Sequence, residues 1–300
     1  KNMDYWGEPA YGVDGILLPI GESSTRLAAA TTGEIDIAGD MSVYQIPMAE
    51  STGNINVVRK LLFDQIYLAL KNDKPPFTDI KFRKAIKLAI DREGIVNHIM
   101  RGGRVATGVL VKGLLGFDET LIPEKQDKEK ARQLLKESIY DGRTIDFMVP
   151  IGWFTNEKDV AQAIKSDFED IGINTHLSIL EGGSFVERRT LRDYDIFINN
   201  DSHPGDVSVW LTRLIDIDVH GMGNINPEAK KLAKEQAKIA DVQKRIDVLR
   251  ELENIINKDY GPTIMITQFE GIYFQRKGIQ GARYYGDRCM DFRYVRYKDW

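Results

Sequence analysis

This sequence predicts an α/β fold, with helices layered on a sheet, from three observations. First, short β-rich runs alternate with segments of helical apolar period along nearly the whole chain. Second, within residues 77–100, FTDIKFRKAIKLAIDREGIVNHIM, the apolar side chains Phe82, Ala85, Ile86, Ala89 and Ile90 recur at helical spacing and form one stripe. Third, 300 residues at 42% hydrophobic and 29% charged are enough for two cores. The same composition excludes several classes. The longest apolar runs, such as 15–20, are strand-length, so none would span a membrane as a helix. A formal charge of −4 offers no basic footprint for nucleic acid. Cys289 is the single cysteine, which excludes an internal disulfide or a cysteine zinc cluster but does not fix the compartment. Lys1 has no initiator methionine before it and no signal peptide is visible, as expected of a processed or shortened piece.

In order, residues 15–20 read as a strand, 23–32 as a helix capped by Ser23 and stopped by Gly33, and 34–38 as a strand. Residues 41–50 suggest a short helix broken near Pro47, whose nitrogen carries no hydrogen to donate. Residues 55–60 and 65–70 are β-rich, and Lys74-Pro75-Pro76 is a stiff lead into the central helices. There Thr78 or Asp79 caps the first helix; a second starts at Asp91, turns Ile95, Val96 and Ile99 inward, and stops at Gly102-Gly103. Helix 128–138, strand 144–150, helix 157–170 with Gly172 as its left-handed stop, strand 173–180, helix 185–192 and strand 194–199 follow. A polar loop, NDSHPGD at 200–206, leads to an apolar helix at 207–214; 227–240 and 242–258 are helical, and 263–268 and 271–276 are β-rich.

The usual catalytic signatures (P-loop, G-x-S-x-G, H-E-x-x-H, C-x-x-C) are absent from the sequence. In IDIDVH, an extended backbone would put Asp216, Asp218 and His220 on one side, either as a solvated edge or as hard oxygens and an imidazole beside a metal chelate. His98 and His176 read as ordinary packing or surface residues, Trp6, Trp153 and Trp300 as partly buried packing residues, and Arg188, Arg189 and Arg192 as a solvated helix face.

Several phrases, in order, resemble the family 5 extracellular solute-binding proteins, the peptide and nickel receptors of ABC importers. Residues 77–100 resemble the family's "F.D..VR+A...AID+E.I". NMDYWGEP at 2–9, Arg26 and GEIDIA at 33–38 resemble "N.+YWG..P" and "R..AL..GEID.A". PEKQDKEKARQLLKESIYDG resembles "D.EKAK.LL.EAGY.DG", and ADVQKRIDVLRELENIINKD resembles "D...R..L+.E...II..D.P". The resemblance implies a two-lobe fold of the periplasmic-binding-protein type II class, its lobes joined by crossing strands. Residues 1–62 and 222–300 would belong to lobe one and 63–221 to lobe two. The family places the YWG phrase well inside lobe one, so the N-terminal part of that lobe is expected to lie outside this chain.

The implied function is capture of short peptides by hinge closure and delivery to ABC permease subunits, in the periplasm or outside the cell, by a monomer with no cofactor and no bond made or broken. A nickel-chelate receptor is the alternative within the family, and a metal-dependent hydrolase built on Asp216–His220 is the rival from another class. The loop at 199–206 corresponds to the family's "W..D..DPD.FL" stretch lining the lobe-two cleft, which makes Asp201, His203, Asp206 and Trp210 ligand-binding candidates. Asp206 has two roles open to it, pairing with a peptide ammonium or capping the helix that follows. Asp201 here replaces the family's usual aromatic, and His203 is added. Trp153, Tyr44 on the lobe-one side, and His220 as a metal contact complete the set.

Overall fold

Alternation along one long strand organises the described chain, which in this computed structural model comprises residues 21–203 and 205–298. The strand expected at 15–20, the YWG phrase, Trp6 and Trp300 lie outside the described residues. The elements are α1 (Ser23–Thr32), β1 (Ile37–Ala38), a tight turn at Val43–Gln45 running into α2 (Ile46–Ser51), β2 (Ile55–Leu70), α3 (Ile80–Ala89), and α4 (Arg92–Gly94) continuing as a wide turn through Ile95–Met100. Then come β3 (Arg104–Val105), α5 (Lys128–Lys136), β4 (Ile145–Pro150), α6 (Glu157–Ile171), β5 (Thr175–Leu180), α7 (Gly182–Thr190), β6 (Ile196–Ser202), and α8 (Val207–Leu211) continuing as a wide turn through Thr212–Ile217. The chain ends with α9 (Pro227–Gln236), α10 (Val242–Lys258), β7 (Thr263–Arg276), β8 (Ile279–Gln280), β9 (Arg283–Tyr284), β10 (Met290–Asp291) and β11 (Arg296–Tyr297).

Residues Phe63–Phe269 form one compact unit; the described residues up to Leu62, with those from Glu270 onward, form another. In the larger unit the sheet runs β7-β2-β6-β4-β5, with β3 also on β7. β4 is parallel to both β5 and β6, whereas β2 and β6 are antiparallel. Because side chains alternate across a strand, β2 feeds two cores. Ile66, Leu68 and Leu70 join Phe82, Ile86 and Ala89 of α3, Ala131 and Leu135 of α5, and Ile164 and Phe168 of α6. Tyr67 and Ala69 join Phe185 of α7, Trp210 of α8, Ala229 and Leu232 of α9, and Leu249 and Leu252 of α10. Helices thus cover both faces, as α/β layering requires. In the smaller unit Leu27, Ala30, Ala38, Met41, Ile272 and Phe274 form a separate core.

Residues 222–269 pack in the larger unit, where α9 and α10 supply the Tyr67-side core. Several readings of single elements are corrected. The two β-rich runs at 55–70 are one strand, as are those at 263–276. The strand read at 34–38 narrows to Ile37–Ala38. Glu22 occupies the N-cap of α1 without a side-chain bond, so Ser23 does not cap it, while Gly33 closes it at φ 80°. Pro47 does not break α2; it sits in the first turn, where no intrahelical N–H is needed. Asp79 caps α3. Asp91 caps α4, whose continuation ends at Arg101 (φ 51°) just before the glycines expected to stop it. The segment 214–220 is not extended: Asp216 and Ile217 lie in the wide turn and Asp218 closes it at φ 55°.

Candidate functional site

The functional candidates gather on the Tyr67 side of the sheet. β2 and β6 pair with Gln65 opposite Asp201 and Tyr67 opposite Asn199, so alternation puts Gln65, Tyr67, Asn199 and Asp201 on one face. Asp201 was expected in a loop; it stands instead on β6, which runs three residues beyond the predicted end. Trp210 of α8 lies over the same face, its ring edge-on to Tyr67 at 5.5 Å and to His203 at 4.5 Å.

The Tyr67 hydroxyl is the hub. It donates to Asp201 Oδ2 at 2.5 Å and accepts from Asn199 Nδ2 at 2.9 Å. His220 Nε2 stands 2.8 Å away, and since the hydroxyl's one proton goes to Asp201, the network assigns the shared proton to Nε2. His220 Nε2 is also 3.4 Å from Asp201 Oδ2, and Asn199 Nδ2 reaches that oxygen at 3.1 Å. Burial alone would raise the Asp201 carboxyl, but hydrogen bonds from His220 and Tyr67 hold it below the usual carboxylate range. Burial, and then the charge of Asp201, raise the Tyr67 phenol well above its ordinary value. All the named bonds land on Oδ2, which leaves Asp201 Oδ1 for a further donor.

His203 is fully buried, its Nε2 3.4 Å from Gln65 Oε1, which itself is steered by Gln65 Nε2 donating to the Gly108 carbonyl at 2.9 Å. Burial depresses the His203 ring to about 4, against the opposing charge of Asp201, so it is neutral at pH 7. Trp210 Nε1 and the Nδ1 atoms of His203 and His220 are buried without hydrogen-bond partners.

Asp206 takes another course. It caps α8 by accepting from Ser208 N at 2.7 Å, and both carboxylate oxygens meet Arg245 of α10, at 2.8 and 3.1 Å. The cap is thus formed, and the carboxylate is also paired with a guanidinium. Trp153 packs edge-on to Phe185 at 4.8 Å, and Phe185, Phe197 and His220 continue that ladder at 5.6 and 5.4 Å. Tyr44 is exposed in the smaller unit. Arg188 is not merely solvated; it bonds Asp146 at 2.7 Å and Asp193 at 3.0 Å, and Arg189 stands over the Trp153 ring at 5.8 Å.

Asp216, Asp218 and His220 do not converge. Asp216 pairs with Lys234 at 3.0 Å, Asp218 accepts from the backbone of Met222 and Gly223, and His220 turns to Tyr67. Among the described residues there is no group of three His, Cys, Asp or Glu side chains able to hold a metal. Asp216, Asp218 and His220 therefore do not make the shared ligand set that the water-activating site of a metal hydrolase needs. Gln65, Tyr67, Asn199 and Arg245 were missed from sequence. Gln65 and Tyr67 do leave a trace, two polar-tipped residues at i, i+2 inside the apolar run 62–70.

The sequence pattern of the bacterial extracellular solute-binding proteins, family 5 Middle, matches residues 1–210. Di/tripeptide-binding protein 1 of Pseudomonas aeruginosa is 24% identical over 268 residues, covering 86% of this chain and 50% of that protein. The chain thus spans about half the length of the curated relatives it matches. Helicobacter pylori DppA, an ABC transporter-associated periplasmic binding protein solved with the peptide STSA, superposes with a TM-score of 0.80 at 22% identity, covering 99% of this chain and 59% of that one. NikA of Staphylococcus aureus, solved with Ni(L-His)2, superposes at 0.74 and 18% identity over 92% and 59%. Among the described residues, no helix is long and apolar enough to cross a membrane.

Proposed function

Because the chain belongs to the bacterial extracellular solute-binding proteins of family 5, we propose that it serves as the receptor of an ABC importer, capturing short peptides outside the cytoplasm by hinge closure and passing them to a membrane permease. The observation that carries this reading is the family match over residues 1–210, which takes in the strand and helix bearing Asp201 and Trp210. A di/tripeptide-binding relative and a peptide-bound structural neighbour support peptide as the cargo. The chemistry agrees: Asp201 is held charged with one oxygen to spare, beside buried rings, which suits an ammonium next to an apolar side chain. Such a receptor makes and breaks no bond, and a closing ligand stabilises whichever state it binds better.

Calorimetry with di- and tripeptides, their N-acetylated forms, and nickel with histidine tests the reading. A free-amine peptide should bind, and Asp201→Asn should weaken it at least about tenfold more than the acetylated form, since only the charged amine needs the carboxylate. Binding of nickel–histidine with no peptide bound would overturn it. That second outcome is the nickel-chelate reading, favoured by the likeness to NikA and by the buried, unpartnered Nδ1 of His220; the metal would then be cargo inside its chelate.

A further inference from the structure

Glu253 of α10 is 1% exposed and lies outside the Tyr67 network. Its Oε1 accepts from the Leu110 backbone N–H at 3.2 Å, while its Oε2 is buried with no hydrogen-bond partner. Leu110 belongs to the segment that leaves β3, and Val109, Leu110 and Val111 are each 1% exposed. The segment lies close on the carboxyl group: a Cβ added at Gly108 would collide with Glu253 Oε1. One turn along α10, Asn257 Nδ2 donates to the Thr107 carbonyl at 3.4 Å.

The same segment touches the candidate ligand site. The Gly108 carbonyl accepts from Gln65 Nε2 at 2.9 Å, and Gln65 Oε1 stands 3.4 Å from His203 Nε2. His203 in turn lies edge-on to Trp210 at 4.5 Å. Residues 107–110 are therefore clamped between α10 and β2, with a carboxyl group in the α10 jaw. Burial pushes that carboxyl up to about 7; the Leu110 N–H opposes the rise, the charge of Asp118 adds to it, and the Arg250 guanidinium on α10 opposes it. One backbone N–H does not replace the hydration of a carboxylate. Ionised Glu253 must draw in water or turn outward, and either movement loosens residues 107–110.

We propose that neutral Glu253 is a positioning residue for the ligand site, a role that rests on the receptor reading for its ligand but not for the clamp. It holds residues 107–110 against Gln65, and through Gln65 it fixes His203 beside Trp210. Capture is then stronger in mildly acidic surroundings than in alkaline ones. The clamped form keeps its proton up to about 7, whereas a glutamate released to solvent loses it at its ordinary, lower value. The clamp therefore holds fully below that ordinary value, loosens as pH rises from there through about 7, and changes no further above it.

Protection of the Leu110 amide, measured by hydrogen exchange from pH 5 to 8 and corrected for the intrinsic rate, should fall at least about tenfold in the parent. It should stay level in Glu253→Gln, which keeps the accepting carbonyl and cannot ionise. The dissociation constant of trialanine, followed by calorimetry over the same range, should rise at least about threefold more in the parent than in Glu253→Gln. That ratio cancels the titration of the peptide amine and of the histidines, which both proteins share. Level protection in the parent, or a matching fall in the variant, would overturn the clamp. A parent-to-variant ratio of dissociation constants that stays constant with pH would overturn its reach into the site. If neither protein binds trialanine at any pH, the receptor reading fails while the Leu110 protection still decides the clamp. Should Glu253→Gln not fold, the parent's own protection profile carries the test.

Discussion

Replacing Phe82 by alanine removes a ring with no solvent exposure, edge-on to Phe77 at 5.2 Å and stacked on Tyr140 at 5.3 Å. It sits on α3 where that helix meets α5, α6 and the Leu68 face of β2. A buried phenylalanine cut to alanine loses its transfer free energy and leaves a cavity, together ~3–5 kcal/mol. The upper half of that range is expected, because each aromatic pair contributes ~0.5–1.5 kcal/mol beyond area alone. In urea, with a slope near ~2.5 kcal/mol/M, the midpoint of the larger unit should fall by roughly 1.6–2 M with the slope unchanged. Fluorescence and far-ultraviolet circular dichroism should be followed together, since two compact units need not unfold in one step. A loss below ~1 kcal/mol at constant slope would refute the packing argument, for only a site that collapses freely or is solvated costs so little.

Tyr67→Phe keeps the ring but strands Asp201, Asn199 and His220 around a missing hydroxyl, and should cost ~1–3 kcal/mol by denaturant titration; a neutral result would show that water or a rearranged Asn199 replaces the hub. Asp206 should make stability depend on acid pH. Arg245 beside it, then the Ser208 backbone N–H, hold its carboxyl at about 2, against burial and below its ordinary value, so its contribution is complete above the unfolded value and is lost as pH falls from there through about 2. The stability difference between Asp206→Asn and the parent should therefore shrink between pH 5 and 2, modestly because the side chain is 54% exposed, and a constant difference across that range would remove Asp206 from the pairing.

Elements with a strong local signal were legible in the sequence. α3 follows from its apolar stripe and its Asp79 cap, α6 from its stripe and Gly172, and α10 from its period between Asp241 and Lys258. The candidate site was legible only in part. Asp201, His203, Trp210 and His220 were singled out, and all four come to lie around Tyr67. Tyr67 itself was overlooked because it lies 132 residues from Asn199, and no local pattern says which strand β2 will pair with. Asp206 could not be divided between its two roles, since Arg245 lies 39 residues away on another helix.

By itself the sequence determined what is local and periodic: the class of fold, most helices, the family resemblance, and the residue types available for a ligand. These depend on dihedral preferences, caps and apolar spacing within a few turns of chain. Only the tertiary structure decided which face each strand turns inward, that β6 carries Asp201 beyond its expected end, that 222–269 packs with the larger unit, and which polar atoms are buried without partners. Those outcomes depend on strand register and desolvation, which arise between segments far apart in sequence and have no value until the segments meet.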